Sequence, residues 1–322
     1  MILRMCLRRL GVALVTLWVV TIIMFAGTEL LPGDVAEIAL GQEATPESVR
    51  ALRARLGIDR PAVVRYADWV GGLLRFDLGK SLAGRSGPNG GNKIEDLVGP
   101  RMENTLVLAG LVAAIAVPLS ILIGLFAAMF PGSWYDRSVT FTTLALVAVP
   151  EFFTATLLVL VFGVHLRWLP TVVVVPDFES VSHMARYLVL PVSTLCLVLF
   201  AQMARMTRAT VLNVMSSPYI EMAILKGVPR SRVIWRHALF NAIGPISNIV
   251  ALNLAYLITG VVIVETIFTY PGLGGLMVDA VRVRDMPLVQ ACGIYFCLVY
   301  LILILTSDIA SIVSNPRLRH PK

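Results

Sequence analysis

Few residues of this chain have the types and spacing that catalysis requires. Gly79, Lys80 and Ser81 match the last three residues of a phosphate-binding P-loop, but that motif needs a further glycine five residues earlier, where Leu74 stands. The sequence contains no HExxH, no GxSxG and no paired-acid pattern. We therefore predict that the chain has no catalytic residues and no nucleotide site of its own.

Histidine and cysteine do not form a metal-binding pattern either. His165 and His183 lie near the same connection, but without carboxylates or cysteines at ligand spacing, and such a pair is usually just solvated. The cysteines form no CxxC pair and lie mostly in apolar runs, which is typical of buried thiols. They are Cys6, Cys196, Cys292 and Cys297. We predict no metal and no cofactor in this chain.

The composition is that of a membrane protein. Of the 322 residues, 57% are hydrophobic and 15% are charged, and the mean hydropathy is +0.81, whereas soluble domains carry about 25% charged residues. The net charge of +7 could indicate nucleic-acid binding, but the basic residues lie between long apolar runs rather than on one amphipathic face. We therefore predict contact with membrane lipid and with no nucleic acid.

Six apolar runs are long enough to cross a bilayer, which takes about 20 residues. They are Leu10–Thr28, Thr105–Trp134, Ser138–Val164, Tyr187–Ala204, Ala238–Val264 and Met286–Ser307. The first run has an apolar core too long for a cleaved signal peptide, and no A-x-A site follows it, so we predict a retained helix. The sequence thus predicts an all-α integral membrane protein with six transmembrane helices.

Glu151 is the single charged residue within these runs. A straight helix over 138–164 would place it near the bilayer centre, where an acid facing lipid costs roughly 2.5–3.5 kcal/mol, so it should face protein or water. Pro150 removes a backbone donor beside it and favours a kink. Two roles stay open: Glu151 could line a translocation pathway, or it could accept hydrogen bonds from a neighbouring helix.

Lysine and arginine are distributed unequally between alternate connections, and cytoplasmic connections are the richer ones. The richer side contains both termini and Arg4, Arg8, Arg9, Arg137, Arg205, Arg208, Lys226, Arg230, Arg232, Arg236, Arg317, Arg319 and Lys322. The short loops of the other side contain Arg167, Arg186, Arg282 and Arg284. We therefore predict that the N- and C-termini are both cytoplasmic.

The connection before the fifth run has a pronounced helix–turn–helix pattern. Ser217–Pro218 is a typical helix start, with a capping serine and a proline in the first turn. Gly227 is a typical helix stop, because glycine adopts positive φ at little cost. Pro229 can open a second helix, on which Arg232 and Arg236 would share a face at i,i+4.

The first of these two helices is short and apolar, so it needs cover. Its apolar residues point in several directions around the helix axis, and a helix of this length is marginal in water. They are Ile220, Met222, Ile224 and Leu225. Cover could come from the protein's own helices or from a separate subunit, and both alternatives stay open at this point.

In this connection Glu221-x-Ala223 is followed by Gly227 four residues later, and Pro245 closes the loop. The pattern resembles the EAA loop of the ABC importer permeases of the dipeptide/oligopeptide/nickel branch, although Ile224-Leu225 departs from the family's small or polar residues. Further matches occur in order along most of the chain. They are LPGD (31–34), LGIDRP, FDLGKS, VPEFF (149–153), LRWLP (166–170), VVIVETIFTYPGLGGL, RDMPLVQ and NPRLR.

The resemblance implies a type I ABC importer permease fold, with cytoplasmic EAA coupling helices and a large external loop between helices 1 and 2. It assigns the docking of ATPase subunits to one set of residues: Tyr219, Glu221, Ala223, Lys226, Gly227, Arg232, Arg236, His237 and Pro245. The implied division is residues 1–31 for the N-terminus and helix 1, 32–103 for the external loop, 104–315 for helices 2–6 with the coupling loop at about 215–245, and 316–322 for a cytoplasmic tail.

The resemblance also implies partners in a bacterial or archaeal plasma membrane. These are a second homologous permease, two cytosolic ABC ATPases that bind the ATP and Mg, and an external peptide-binding protein. The chain itself would not be an enzyme. The implied cargo is a dipeptide or oligopeptide, with nickel chelates, glutathione or opine-like solutes as alternatives. A standalone ion-coupled secondary transporter is a different class, but it would usually keep several ionisable groups at mid-membrane.

Overall fold

The computed structural model describes residues 2–30, 36–37, 44–57, 59–82, 92–173, 181–229 and 232–314. These residues are largely helical, and the one β-type pairing among them is an isolated bridge between Lys80 and Lys93. The helices are α1 (Ile2–Glu29), α2 (Pro46–Leu56), α3 (Ala62–Leu73), α4 (Ile94–Met129), α5 (Trp134–Ala148), α6 (Glu151–Leu158), π1 (Val159–His165), α7 (Val181–Met215), α8 (Pro218–Leu225), π2 (Val233–Ala238), α9 (Leu239–Ile267), α10 (Leu273–Arg282) and α11 (Met286–Ser314). The all-α prediction is confirmed.

Five of the described helices are long and apolar enough to cross a membrane, and a bent pair makes a sixth span. The five are α1, α4, α7, α9 and α11, and the pair is α5 with α6–π1. The predicted number of six therefore holds when the bent pair counts as one span. The helix α7 continues past Ala204, where the apolar run ends, to Met215. It therefore includes Arg205 and Arg208.

The kink predicted at Pro150 is present as a complete break between two helices. The axes of α5 and of α6–π1 differ by 98°. Val149, between them, is extended at φ −90° and ψ 125°. A residue before proline is disfavoured in the α region, and proline has no N–H to continue a helix. Pro150 therefore ends α5 completely instead of kinking it.

The chain forms two compact units, each with its own core. The first consists of Met1–Gly11, Leu106–Tyr270 and Tyr300–Lys322. Its main core contains buried residues of α4, α6, α7 and α9, such as Leu108, Ala155, Leu199 and Val261. This unit contains the predicted coupling loop and Glu151.

The second unit consists of Val12–Thr105 and Pro271–Val299. Its buried core joins α4, α10 and α11 through residues such as Ile94, Leu273 and Cys292. The buried Asp285 carboxylate accepts hydrogen bonds from the Ser81 hydroxyl and from the Leu82 N–H at 2.8 Å. The serine of the Gly-Lys-Ser triplet thus has a structural partner, which agrees with rejecting the P-loop interpretation.

In the connection after α1, the pattern of apolar residues predicts one helix over Ser48–Gly57 and another over Tyr66–Leu74. The structure has α2 and α3 at these two places. The aromatic rings of Phe25 and Tyr66 have centroids 5.4 Å apart in an edge-on arrangement, so α3 packs on α1. The LPGD motif, the glycine-rich segment at 83–91 and the tail at 316–322 lie outside the described residues.

Candidate functional site

The predicted helix–glycine–helix unit is present around Gly227. Ser217 is extended at φ −80° and ψ 146°, and Pro218 is the first residue of α8. Gly227 has φ +75°, and the N–H of Val228 donates to the Ala223 carbonyl at 3.2 Å. The chain therefore turns sharply at the glycine, as its positive φ requires.

The second helix of the unit begins with a π-helix. Arg232 precedes π2, which runs without interruption into the membrane span α9. Arg232 and Arg236 are both exposed, whereas Arg230 and the His237 side chain lie outside the described residues. Pro245 lies inside α9. The unit is thus joined directly to a span with no intervening loop.

Among the residues that the structure describes, packing covers one side of α8. Ile220 is fully buried against Val233 and Ala238, and Ala223 packs at the edge of the same cluster. The other apolar side chains are exposed: Tyr219, Met222, Ile224 and Leu225, the last at 81%. Glu221 and Lys226 are exposed beside them. Of the two alternatives for cover, packing within the described part of the chain accounts for Ile220 and leaves the other large apolar side chains of α8 exposed.

Glu151 is the first residue of α6 and packs on α9 at Gly260. A Cβ atom added to Gly260 would lie 2.7 and 2.8 Å from the two Glu151 carboxylate oxygens, so only glycine allows this approach. The Oε1 atom is buried and has no hydrogen-bond partner among the described residues. A buried acceptor left without a partner costs about 1–3 kcal/mol, so it requires an explanation. The π1 helix follows α6 directly, and π-helical turns frequently mark functional sites.

The sequence reasoning missed an ion pair between Asp136 of α5 and Arg208 of α7. Asp136 is 3% exposed and accepts hydrogen bonds from two guanidinium nitrogens, with 2.8 Å from Nη2 to Oδ2. The N–H of Gly132 donates to the same carboxylate at 2.9 Å. The pattern Ser133-x-x-Asp136 before an apolar run was a detectable helix-start signal. Nothing in the sequence, however, indicated Arg208 as the partner of Asp136.

Histidine placement gives no metal geometry. His165 and His183 are both exposed, and the His183 ring packs edge-on against Tyr187 with centroids 5.0 Å apart. Across the part of the chain that the structure describes, no group of three or more His, Cys, Asp or Glu side chains is placed to hold a metal ion.

Comparison with known proteins gives a family for this arrangement. The family described as binding-protein-dependent transport system inner membrane component matches residues 120–320. The N-terminal part of such membrane components matches residues 2–87.

Three similar proteins carry informative names. A putative peptide transport system permease of Brucella abortus (strain 2308) is 37% identical over 98% of both chains. A probable peptide ABC transporter permease of Sinorhizobium fredii is 33% identical, and a glutathione transport system permease of Escherichia coli K12 is 32% identical, each again over 98% of both chains.

These matches confirm the resemblance inferred from the motifs, and with it the type I ABC permease fold. They exclude the standalone secondary transporter. The chain belongs to the binding-protein-dependent transport family, as an inner membrane permease of an ABC transporter.

Proposed function

We propose that the chain is one of two permease subunits of an ATP-driven importer for dipeptides or oligopeptides, in which it forms half of the translocation pathway. The observation that carries the proposal is the uncovered apolar side of α8, on a chain whose sequence has no nucleotide-binding motif. The work of transport must then enter from a partner. The peptide permeases among its relatives support a peptide as cargo.

The binding-protein-dependent family to which the chain belongs supports three kinds of partner in this proposal. Two cytosolic ATPases, which bind ATP and Mg, receive α8 and the exposed Glu221, Lys226, Arg232 and Arg236. A second, homologous permease completes the pathway, and an external peptide-binding protein delivers the cargo. Because Gly227 joins two short, ordered helices, a displacement of α8 moves the attached span as a rigid body.

The assembly can be tested in two steps. The chain, co-expressed with its partner permease and ATPases, should retain the ATPases through detergent purification. After reconstitution in liposomes with the binding protein, ATP should drive uptake of a labelled dipeptide. Uptake of labelled glutathione or of a nickel chelate in place of the peptide would change the cargo to one of the stated alternatives, the first of which a 32% identical relative favours.

We further propose that both termini and α8 lie on the cytoplasmic side. The unequal distribution of lysine and arginine supports this orientation. A reporter that is active only outside the cytoplasm should be active when fused near residue 87 and silent when fused near residue 230. The reverse pattern would contradict the orientation and also the docking of cytosolic ATPases on α8.

Glu151 is proposed to line the translocation pathway and to accept the α-ammonium group of the passing peptide. Its buried Oε1 atom, which has no hydrogen-bond partner in the described part of the chain, supports this role over a purely structural one. A hydrogen bond to a charged group contributes about 1.5–3 kcal/mol, so Glu151→Gln, which keeps the shape and removes the charge, should slow peptide uptake about tenfold or more.

Assembly and the resting ATPase rate of the Glu151→Gln complex serve as controls and should match the wild type. A second variant, Glu151→Cys, measures access from water. Uptake at the wild-type rate by the glutamine variant would contradict the pathway role. So would a cysteine at 151 that never reacts with polar thiol reagents at any stage of the transport cycle.

A further inference from the structure

The Asp136–Arg208 ion pair fastens the beginning of α5 to α7. Both guanidinium contacts go to one carboxylate, and this two-point geometry fixes the angle as well as the distance between the groups. The Asp136 N–H also donates to the Ser133 hydroxyl at 3.1 Å, which caps α5. Hydrogen bonds from Arg208, from the Gly132 N–H and to the Ser133 hydroxyl therefore fix the position of Asp136 at the start of α5.

The helix α4 is in very close contact with α7 at the same level. A Cβ atom added to Gly124 would lie 2.5 Å from the Ala204 carbonyl oxygen and 2.9 Å from the Thr207 Cβ. Thr207 and Arg208 are adjacent in α7, so this close approach and the ion pair lie side by side. At this level α4, α5 and α7 form one tightly joined group of helices.

The helix α8 is joined to this group by continuous apolar packing. Ile220 of α8 belongs to a cluster that includes Val214 and Met215, the last residues of α7. The same two residues pack against a second cluster that contains Leu125 of α4 and Val211 of α7. Only two residues, Ser216 and Ser217, separate α7 from α8, and both donate backbone hydrogen bonds to the last turn of α7.

The other end of α5 leads to Glu151. The helix has 15 residues, a length of about 22 Å at 1.5 Å per residue. Its last residue is Ala148, and the bend at Val149–Pro150 then places Glu151 against Gly260. A rotation of α5 about its fixed start would therefore move the carboxylate relative to α9.

We propose that Asp136 and Arg208 are positioning residues for transport, which transmit a displacement of α8 through α7 to α5 and so change the contact between Glu151 and Gly260. The ion pair links α7, which follows the motion of α8, to α5, whose other end leads through Val149 and Pro150 to Glu151 of α6. This inference rests on the proposed function, because it presumes that ATPases move α8. It adds two residues that belong neither to the proposed docking set on α8 and π2 nor to the proposed cargo contact at Glu151.

The test uses the complete complex, with both permeases, the ATPases and the binding protein, reconstituted in liposomes. Asp136→Asn removes the charge and keeps the shape. Arg205→Gln is the matched control, because Arg205 is exposed on the same helix one turn before Arg208. Three quantities are measured: ATP hydrolysis, peptides imported per ATP, and the ATP-dependent change in thiol reactivity of Thr154→Cys, one turn beyond Glu151, in a chain otherwise free of cysteine.

For Asp136→Asn we expect ATP hydrolysis within about twofold of the wild type, at least tenfold fewer peptides imported per ATP, and no ATP-dependent change in reactivity at position 154. Arg205→Gln should match the wild type in all three. Arg208→Lys keeps the charge but loses the two-point geometry. It should assemble and still import fewer peptides per ATP, which keeps the test decisive if Asp136→Asn does not assemble.

The outcomes separate this inference from the proposed function. A wild-type ratio of peptides to ATP in Asp136→Asn or in Arg208→Lys, with a normal change at position 154, would overturn the positioning role and leave the importer intact. A wild-type complex that binds no ATPase, or hydrolyses ATP without importing peptide, would overturn the proposed function, and the inference would fall with it.

Discussion

Two segments of this protein share the same local pattern, a helix followed by a glycine with positive φ and a second helix. They differ in what stabilises the first helix. One is α2 with Gly57 and α3, and the other is α8 with Gly227 and π2. Each first helix has proline in its first turn, and each glycine has positive φ, +64° and +75°. Each glycine is followed within four residues by a further proline. At the level of local sequence signals, the two segments are nearly equivalent.

The two segments differ in how the first helix is capped at its N-terminus and in which side chains that helix exposes. Thr45 and Ser48 form a reciprocal capping box at the start of α2, with 3.2 Å from the Ser48 N–H to the Thr45 hydroxyl. The Ser217 hydroxyl donates back to the Val214 carbonyl and makes no capping bond to α8. Charged side chains of α2 are exposed, such as Glu47 and Arg50, whereas α8 exposes large apolar ones.

This difference indicates where each helix obtains its stability. The helix α2 caps its own start and exposes charged side chains such as Glu47 and Arg50, so neither of these features requires a partner. The helix α8 has eight residues, too few for a stable isolated helix, and it leaves apolar area uncovered. These exposed apolar side chains support the proposal that a partner docks on α8.

Substitution of the two glycines should give the largest difference in peptide uptake between the two segments. Gly227→Val should reduce peptide uptake at least a hundredfold while membrane insertion stays normal. No atom lies within 4 Å of an added Cβ there, so the effect comes from the backbone, because a β-branched residue resists positive φ. Gly57→Val imposes the same strain, of about 1–3 kcal/mol, and should lower uptake less than threefold. Equal losses from both variants would contradict the distinction.

Substitution of two exposed leucines, one in each segment, should give a smaller difference, measured as the affinity for the ATPase. Leu225 at the end of α8 is 81% exposed, and Leu74 after α3 is 79% exposed. Fully burying a leucine contributes about 1.5–3 kcal/mol, so Leu225→Ala should weaken ATPase binding about tenfold if that residue enters the docking surface. Leu74→Ala is the matched control and should leave binding unchanged. ATPase affinity, measured by titration of the detergent-solubilised permeases, distinguishes the two leucines.

The smallest difference should come from the residues before each first helix, Thr45 and Ser217, and should be a difference in helix stability. Thr45→Ala should destabilise α2 by about 0.5–2 kcal/mol, because it removes the acceptor of the capping bond. Ser217→Ala should change α8 by a few tenths of a kcal/mol at most, since its hydroxyl does not cap that helix. Hydrogen exchange of the backbone amides in both helices measures these differences. Faster exchange in α8 of Ser217→Ala, with no change in α2 of Thr45→Ala, would reverse the comparison.

Local signals predicted the helices well where one residue determines the backbone. The helix α8 begins at Pro218 and ends before Gly227, as expected. Proline restricts φ and glycine permits positive φ whatever their surroundings. Pro150 was recognised as a disruption, but the 98° bend was not. The size of a bend depends on which neighbouring helices the next segment packs against, and sequence periodicity carries no such information.

The amino-acid sequence alone determined the class of this protein, its apolar spans and the helix–glycine–helix unit. These depend on composition and on residues close together in the chain. Only the tertiary structure decided that Asp136 pairs with Arg208 and that Gly124 and Gly260 admit their neighbours at close range. It also decided that one Glu151 carboxylate oxygen is buried with no hydrogen-bond partner among the described residues. Such contacts join residues 72 or more positions apart. They exist only after the helices have packed, because packing alone sets which side chains from distant segments meet and which are excluded from water.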